Sequence, residues 1–140
     1  MTSSLNQLKM MTTIVADTGD LQAIARLKPV DATTNPSLIT KALSAPQMQP
    51  ILIETLKKHP NDIDAVIDEL TIYIGTEILK LIDGRVSTEV DARLSYDTDG
   101  TIVKAQQFIK AYEVAGIDKK RVLIKICLLY TSPSPRDKRQ

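Results

Sequence analysis

One cysteine, no tryptophan, five glycines and almost no net charge, in 140 residues, remove several classes of function at once. A single thiol, Cys127, can build neither an intramolecular disulfide nor a cysteine metal cluster, so nothing points to an oxidising compartment. The glycines are scattered. The only one near the end of an expected strand is Gly19, alone, without the glycine-rich turn of a dinucleotide or P-loop domain. A net charge of +1, from 18 Lys+Arg against 17 Asp+Glu, supplies no field to attract nucleic acid or an anionic membrane. No apolar run approaches the roughly 18–20 residues of a membrane helix, and Met1 to Met10 hold no apolar h-region or small-residue cleavage site. The carboxylates lack metal-ligand spacing, so no metal is expected. With 43% hydrophobic and 25% charged residues, the chain has a globular composition, enough for one domain, and a cytoplasmic protein is the expectation.

The last fourteen residues differ from the rest. Residues 127–140 hold the cysteine, Pro133 and Pro135, and the charges Arg136, Asp137, Lys138 and Arg139; without them the net charge falls from +1 to −1. The segment has no amphipathic period, and its prolines cannot continue a helix or strand. A short disordered tail and a basic binding arm are two readings. The preferred third is an artefact, because Cys127 to Asp137 looks like a sequencing-library adapter read as coding DNA. The expected division is therefore a natural domain over 1–126 and a non-native, disordered tail over 127–140.

Within 1–126, short β-type runs alternate with helical spacing. Ser4 to Met11 can form an opening helix. Strands are expected at Thr13–Ala16, Val30–Thr34, Val86–Val90 and Val122–Ile126. Helices are expected from Leu21 to Lys28, Ser37 to Ser44 and Met48 to Lys58. A longer one carries Ile63, Val66, Ile67, Leu70, Ile74, Ile78 and Leu81, closed by Asp83-Gly84. The last runs from Thr101 to Ala115 with Ile102, Ala105, Ile109 and Tyr112 on its stripe. This alternation predicts an α/β fold with a parallel sheet. An open doubly wound sheet and an eight-stranded barrel both begin so. Polar residues at the strand ends (Asp17, Asn35, Glu89 and Lys125) favour the barrel modestly, because a barrel's active-site mouth lies there.

Each of these four residues has a local reading and a chemical one. Lys125 stands in the run Val122-Leu123-Ile124-Lys125-Ile126, on the face of Leu123 by period two. It either snorkels to solvent or, desolvated and neutral, serves as a Schiff-base nucleophile. Asp17 either starts the next helix, in competition with Asp20, or moves a proton to and from a substrate hydroxyl. Asn35 before Pro36 is turn chemistry or a substrate-binding amide. Glu89 either pairs with Arg93 or does acid/base work through water. His59, in a Lys-His-Pro turn, reads as a surface residue.

Taken together, these stretches resemble one family. Asp31-Ala32-Thr33-Thr34-Asn35-Pro36-Ser37-Leu38-Ile39 is similar to the first transaldolase signature. Val15 to Asp20 resembles that family's first strand with its catalytic aspartate, Val86 to Ser95 its third strand, and Val122 to Ile126 the opening of its lysine signature. Past Ile126 the signature breaks into Cys127-Leu128-Leu129, where the adapter-like tail begins. The resemblance covers essentially all of 1–126 and implies the N-terminal half of a parallel (β/α)8 TIM-type barrel, cut after about four strands. A whole barrel needs about 200–250 residues or more.

The implied reaction moves a dihydroxyacetone unit from sedoheptulose 7-phosphate to glyceraldehyde 3-phosphate, giving erythrose 4-phosphate and fructose 6-phosphate, without a cofactor. By the same likeness Lys125 forms the Schiff base, Asp17 takes the proton from the hydroxyl of the departing aldehyde, Glu89 serves carbinolamine dehydration and hydration through a water, and Asn35 holds a hydroxyl. The implied partners are sugar phosphates, with no nucleic acid and no membrane, and a homodimer is kept in view for the full-length form. Two alternatives stay open: an inactive fragment or half-barrel binding module, and a class I sugar-phosphate aldolase releasing free dihydroxyacetone. An isolated half barrel is also expected to expose an apolar strand edge and to aggregate.

Overall fold

The computed structural model describes residues 3–126. The expected tail over 127–140 lies outside the described residues. Helix α1 (Ser4–Met11) precedes β1 (Val15–Asp17), α2 (Leu21–Leu27), β2 (Asp31–Thr33), α3 (Pro36–Leu43), α4 (Gln49–Lys58), α5 (Ile63–Leu79), β3 (Val86–Glu89), α6 (Thr98–Val114) and β4 (Val122–Lys125). Four helices start on an Asx cap that satisfies an otherwise orphaned backbone N–H. Asp20 Oδ1 accepts from the amides of Gln22 and Ala23, Asn35 Oδ1 from Leu38, Asp62 Oδ1 from Ala65 and Asp97 Oδ1 from Gly100. Helix α2 ends at Lys28 in the left-handed conformation, and the Lys9 ammonium donates to its terminal carbonyl on Leu27 at 2.9 Å. No described helix is long and apolar enough to cross a membrane.

The strands form one parallel sheet in the order β1-β2-β3-β4. Ala16, Ala32, Val86 and Val122 stand in register across it. Their side chains join Ile24, Ile39, Ile74, Ile78, Phe108 and Tyr112 from the helices in one core. The alternate residues (Val15 and Asp17, Asp31 and Thr33, Ser87 and Glu89, Leu123 and Lys125) occupy the other face, where none is buried. Sequential parallel order, with right-handed crossovers always in one direction, puts the helices between the strands on the same side. A doubly wound sheet would instead reverse its order to cover both faces. The fold is therefore α/β with the strand order and one-sided helices of a half barrel. The remaining strands of a barrel are not among the described residues. Val15 and Leu123, 51% and 45% exposed, supply the apolar exposure on the open face.

Two helical stripes differ from expectation. In α6 the buried residues are Thr101, Phe108 and Tyr112, while Ile102 is 49% exposed. The stripes 101-105-108-112 and 102-105-109-112 share two positions, and the large ring of Phe108 decides between them. Thr101 is further held by its hydroxyl, which donates to the Leu94 carbonyl at 2.9 Å. In α5, Val66, Leu70, Ile74 and Ile78 are buried as expected, but Thr71, Ile72, Gly75 and Leu79 are buried too, Ile63 and Ile67 are exposed, and Leu81, also exposed, lies past the helix end at Leu79. This helix touches β3 and each of α2, α3, α4 and α6, so one stripe cannot describe it.

At the far end of the sheet Arg121 closes α5 onto β4. Its Nε donates to Gly84 O at 2.7 Å, and its Nη2 to Ile82 O at 2.7 Å and Leu79 O at 3.3 Å. Arg121→Ala strips these carbonyls of a fork-shaped donor and is expected to cost about 1–2 kcal/mol. Arg121→Lys, a single-point donor, should recover only part, and thermal melting of the three proteins checks the order.

Candidate active site

The open face gathers its polar groups at the C-terminal ends of the strands. Glu89 and Lys125 are the last residues of β3 and β4 and stand opposite each other in register. Lys125 Nζ lies 3.1 Å from Glu89 Oε2. The Val90 amide donates to Lys125 O at 2.9 Å, so backbone as well as side chains holds the pair. The expected Glu89–Arg93 bridge does not form. Glu89 turns along the sheet face, while Arg93, beyond the strand, is captured by Asp91 and Asp64 at 2.6 Å each. Of its two readings, Lys125 takes the solvent-reaching one. Its side chain is 39% exposed, against 16% for Glu89, because the apolar neighbours Val122 and Ile124 face the core and leave the lysine on the uncovered side.

Asn35 takes its local reading. Its Oδ1 caps α3, which leaves Nδ2 as a donor, and together with Glu89 it lines a cavity of about 280 Å³ that also involves Thr34, Thr71 and Phe108. Thr34 ties the two strand ends around this cavity: its amide and its hydroxyl both donate to Ser87 O, at 2.9 and 3.0 Å. Asp17 ends β1 on the same face, and the helix-capping role open to it is taken by Asp20. Lys125 pairs with Glu89 and not with Asp17, whose strand stands at the other end of the order β1-β2-β3-β4. Asp17 instead stands opposite Thr33. Thr33 and Ser87, register partners on the open face between Asp17 and the Glu89–Lys125 pair, were not singled out from the sequence. Period-two parity with Asn35 and Glu89 is the signal that finds them.

Arg93 straps the loop after β3 to α5. Its guanidinium holds the Asp91 carboxyl below the ordinary value of 3.8. A carboxylate depressed in the folded state contributes stability above its unfolded pKa and loses it as pH falls through the folded value. The loop at Asp91–Leu94 is therefore expected to loosen only below about pH 4, seen as faster amide exchange at Arg93, whose N–H donates to Asp91. High salt should act in the same direction. His59 is not simply a surface residue: its ring Nε2 lies 2.8 Å from Glu69, whose carboxylate also takes Lys58 at 2.7 Å. Glu69 is held below its ordinary value, first by the hydrogen bond from Lys58. Among the described residues, no three His, Cys, Asp or Glu converge on a metal site.

A lysine ion-paired to a carboxylate at the C-terminal edge of a parallel sheet, with an amide and a second carboxylate on neighbouring strands, holds the groups for carbonyl addition and proton transfer. Residues 14–131 match the family model described as transaldolase/fructose-6-phosphate aldolase. That span contains all four strands and all four of these residues, and it runs past Ile126 to Thr131. The chain thus belongs to the transaldolase/fructose-6-phosphate aldolase family, and its type of function is that of an aldolase or aldehyde/ketone transferase.

Proposed function

We propose that this chain carries the Schiff-base half of a transaldolase site, acting on sugar phosphates in the pentose phosphate pathway of the cytoplasm. The observation that carries the reading is the Lys125–Glu89 pair at 3.1 Å, which sets a nucleophile beside a group that can exchange its proton. Lys125, as the free amine, adds to the ketose carbonyl. Glu89 moves protons through a bound water as the carbinolamine loses its hydroxyl. The protonated imine then accepts the electron pair of the adjacent C–C bond while Asp17 takes the proton from the hydroxyl on the departing carbon. The aldehyde leaves, and the retained dihydroxyacetone unit adds to glyceraldehyde 3-phosphate. Asn35 holds a hydroxyl of that unit through Nδ2. The likeness of Asp31 to Ile39 to the first transaldolase signature supports transfer over release of free dihydroxyacetone.

Incubating the full chain with labelled fructose 6-phosphate and borohydride tests the reading. A stable adduct on Lys125, absent in Lys125→Ala, is the expected result. Label on other lysines only, or on none, overturns it. Release of the label as free dihydroxyacetone without an acceptor aldehyde would assign the chain to the aldolase side of the family.

A further inference from the structure

Behind the catalytic edge of β3 lies a polar contact that the proposed chemistry does not use. Thr88, fully buried, points away from the open face into the core, and its Oγ1 lies 2.7 Å from the hydroxyl of Tyr112, itself fully buried in α6. Apart from Thr88, the tyrosine sits among apolar neighbours: it belongs to the cluster of Val86, Ile74, Ile78 and Phe108. Its hydroxyl lies over α5 at Gly75, where an added Cβ would fall 1.9 Å from the oxygen. A bare backbone position in a 17-residue helix thus makes room for one hydroxyl group. A valine facing a phenylalanine would fill the same space without desolvating two polar groups, so packing alone does not call for this pair. A hydrogen bond does what apolar contact cannot: it fixes position along the strand. Thr88 is the residue before Glu89 and stands in register with Ile124, the residue before Lys125. Burial also pushes the tyrosine up to about 12, so its proton stays in place throughout the neutral range.

We infer that Tyr112, acting through Thr88, is a positioning residue that sets the end of β3 against β4 and so holds Glu89 at bonding distance from Lys125. The inference rests on the reading that these two groups work together, but its test reads their geometry without any sugar. A water-soluble carbodiimide joins a carboxylate to an amine in direct contact. An amide forms between Lys125 Nζ and Glu89, and the reagent takes up the lost oxygen as its urea. Peptide mass spectrometry gives the yield of that link relative to Lys104–Asp68, an ion pair at 2.6 Å between α6 and α5.

Tyr112→Phe and Thr88→Val are each expected to lower the relative yield severalfold, and Thr88→Ser to retain it. In the double variant Tyr112→Phe/Thr88→Val both hydroxyls of the pair are gone and neither is left unpaired, so melting should return toward the parent while the link stays weak. That split separates positioning from mere stability, and the double variant also serves if either single variant fails to fold. A parental yield in the folded double variant overturns the inference. Failure of borohydride trapping, with the cross-link pattern as expected, overturns the functional reading and leaves the positioning role standing.

Discussion

Lys125→Arg is expected to keep the fold and the contact with Glu89 and to abolish the borohydride-trapped adduct completely. A guanidinium remains protonated under any practical condition and has no free amine to add to a carbonyl. It nevertheless reaches a carboxylate as well as an ammonium does. The pair is partly exposed on one side, at 39% and 16%, and ion pairs near water contribute about 0–1 kcal/mol. Melting should therefore move little in either Lys125→Arg or Lys125→Ala, while covalent chemistry vanishes in both. Glu89→Gln is the complementary case. The carboxamide still lies beside Lys125 but cannot take a proton from water, so adduct formation should persist and slow by about 10²–10⁴-fold. Adduct surviving in Lys125→Arg, mapped to another lysine such as Lys104, would show that the strand-end pair is not the reacting centre.

Much of this site can be read from the chain because it depends on local rules. Asp20 and Asn35 announce helix starts by residue type, and each caps as its chemistry demands, whereas the cap at Asp97 starts its helix at Thr98, three residues before the expected Thr101. Period two places Lys125 with Leu123, and the structure keeps both on the open face. Where several partners compete, sequence proximity misleads. Arg93 has Glu89 four residues away, yet binds Asp91 and the distant Asp64, because the strand turns Glu89 onto the sheet face before the chain reaches the arginine. The two readings of Lys125 are separated by the same pleat. Hydropathy reads a run of five residues as one environment, whereas the pleat divides it between a packed face and an open one, and the lysine takes the solvent-reaching reading. The link between Thr88 and Tyr112 spans 24 positions and joins β3 to α6. No local pattern encodes it, although a glycine in the middle of a long apolar helix marks the place where a neighbour comes close.

Gly75→Ala is accordingly expected to be among the most damaging single methyl additions. Helix propensity alone favours the change, since alanine in a helix interior is better than glycine by about 1 kcal/mol. Against this stands a Cβ placed 1.9 Å from the Tyr112 hydroxyl and 2.9 Å from the ring carbon that bears it. These are atoms of a rigid, fully buried ring wedged between α5, α6 and β3. The ring must move as a body, and overpacking of this kind costs about 1–3 kcal/mol. Moving it also breaks the bond to Thr88 and leaves two buried hydroxyls unpaired, a further ~1–3 kcal/mol. The clash outweighs the propensity gain, so a net loss of roughly 2–4 kcal/mol is expected, a large share of the ~5–15 kcal/mol that holds such a domain together. Tyr112→Phe removes the oxygen at the nearest clash and should partly rescue Gly75→Ala. A double-mutant cycle by urea denaturation reads this as coupling between the two sites. Additive losses from the two substitutions would mean that the hydroxyl of Tyr112 has no special relation to Gly75.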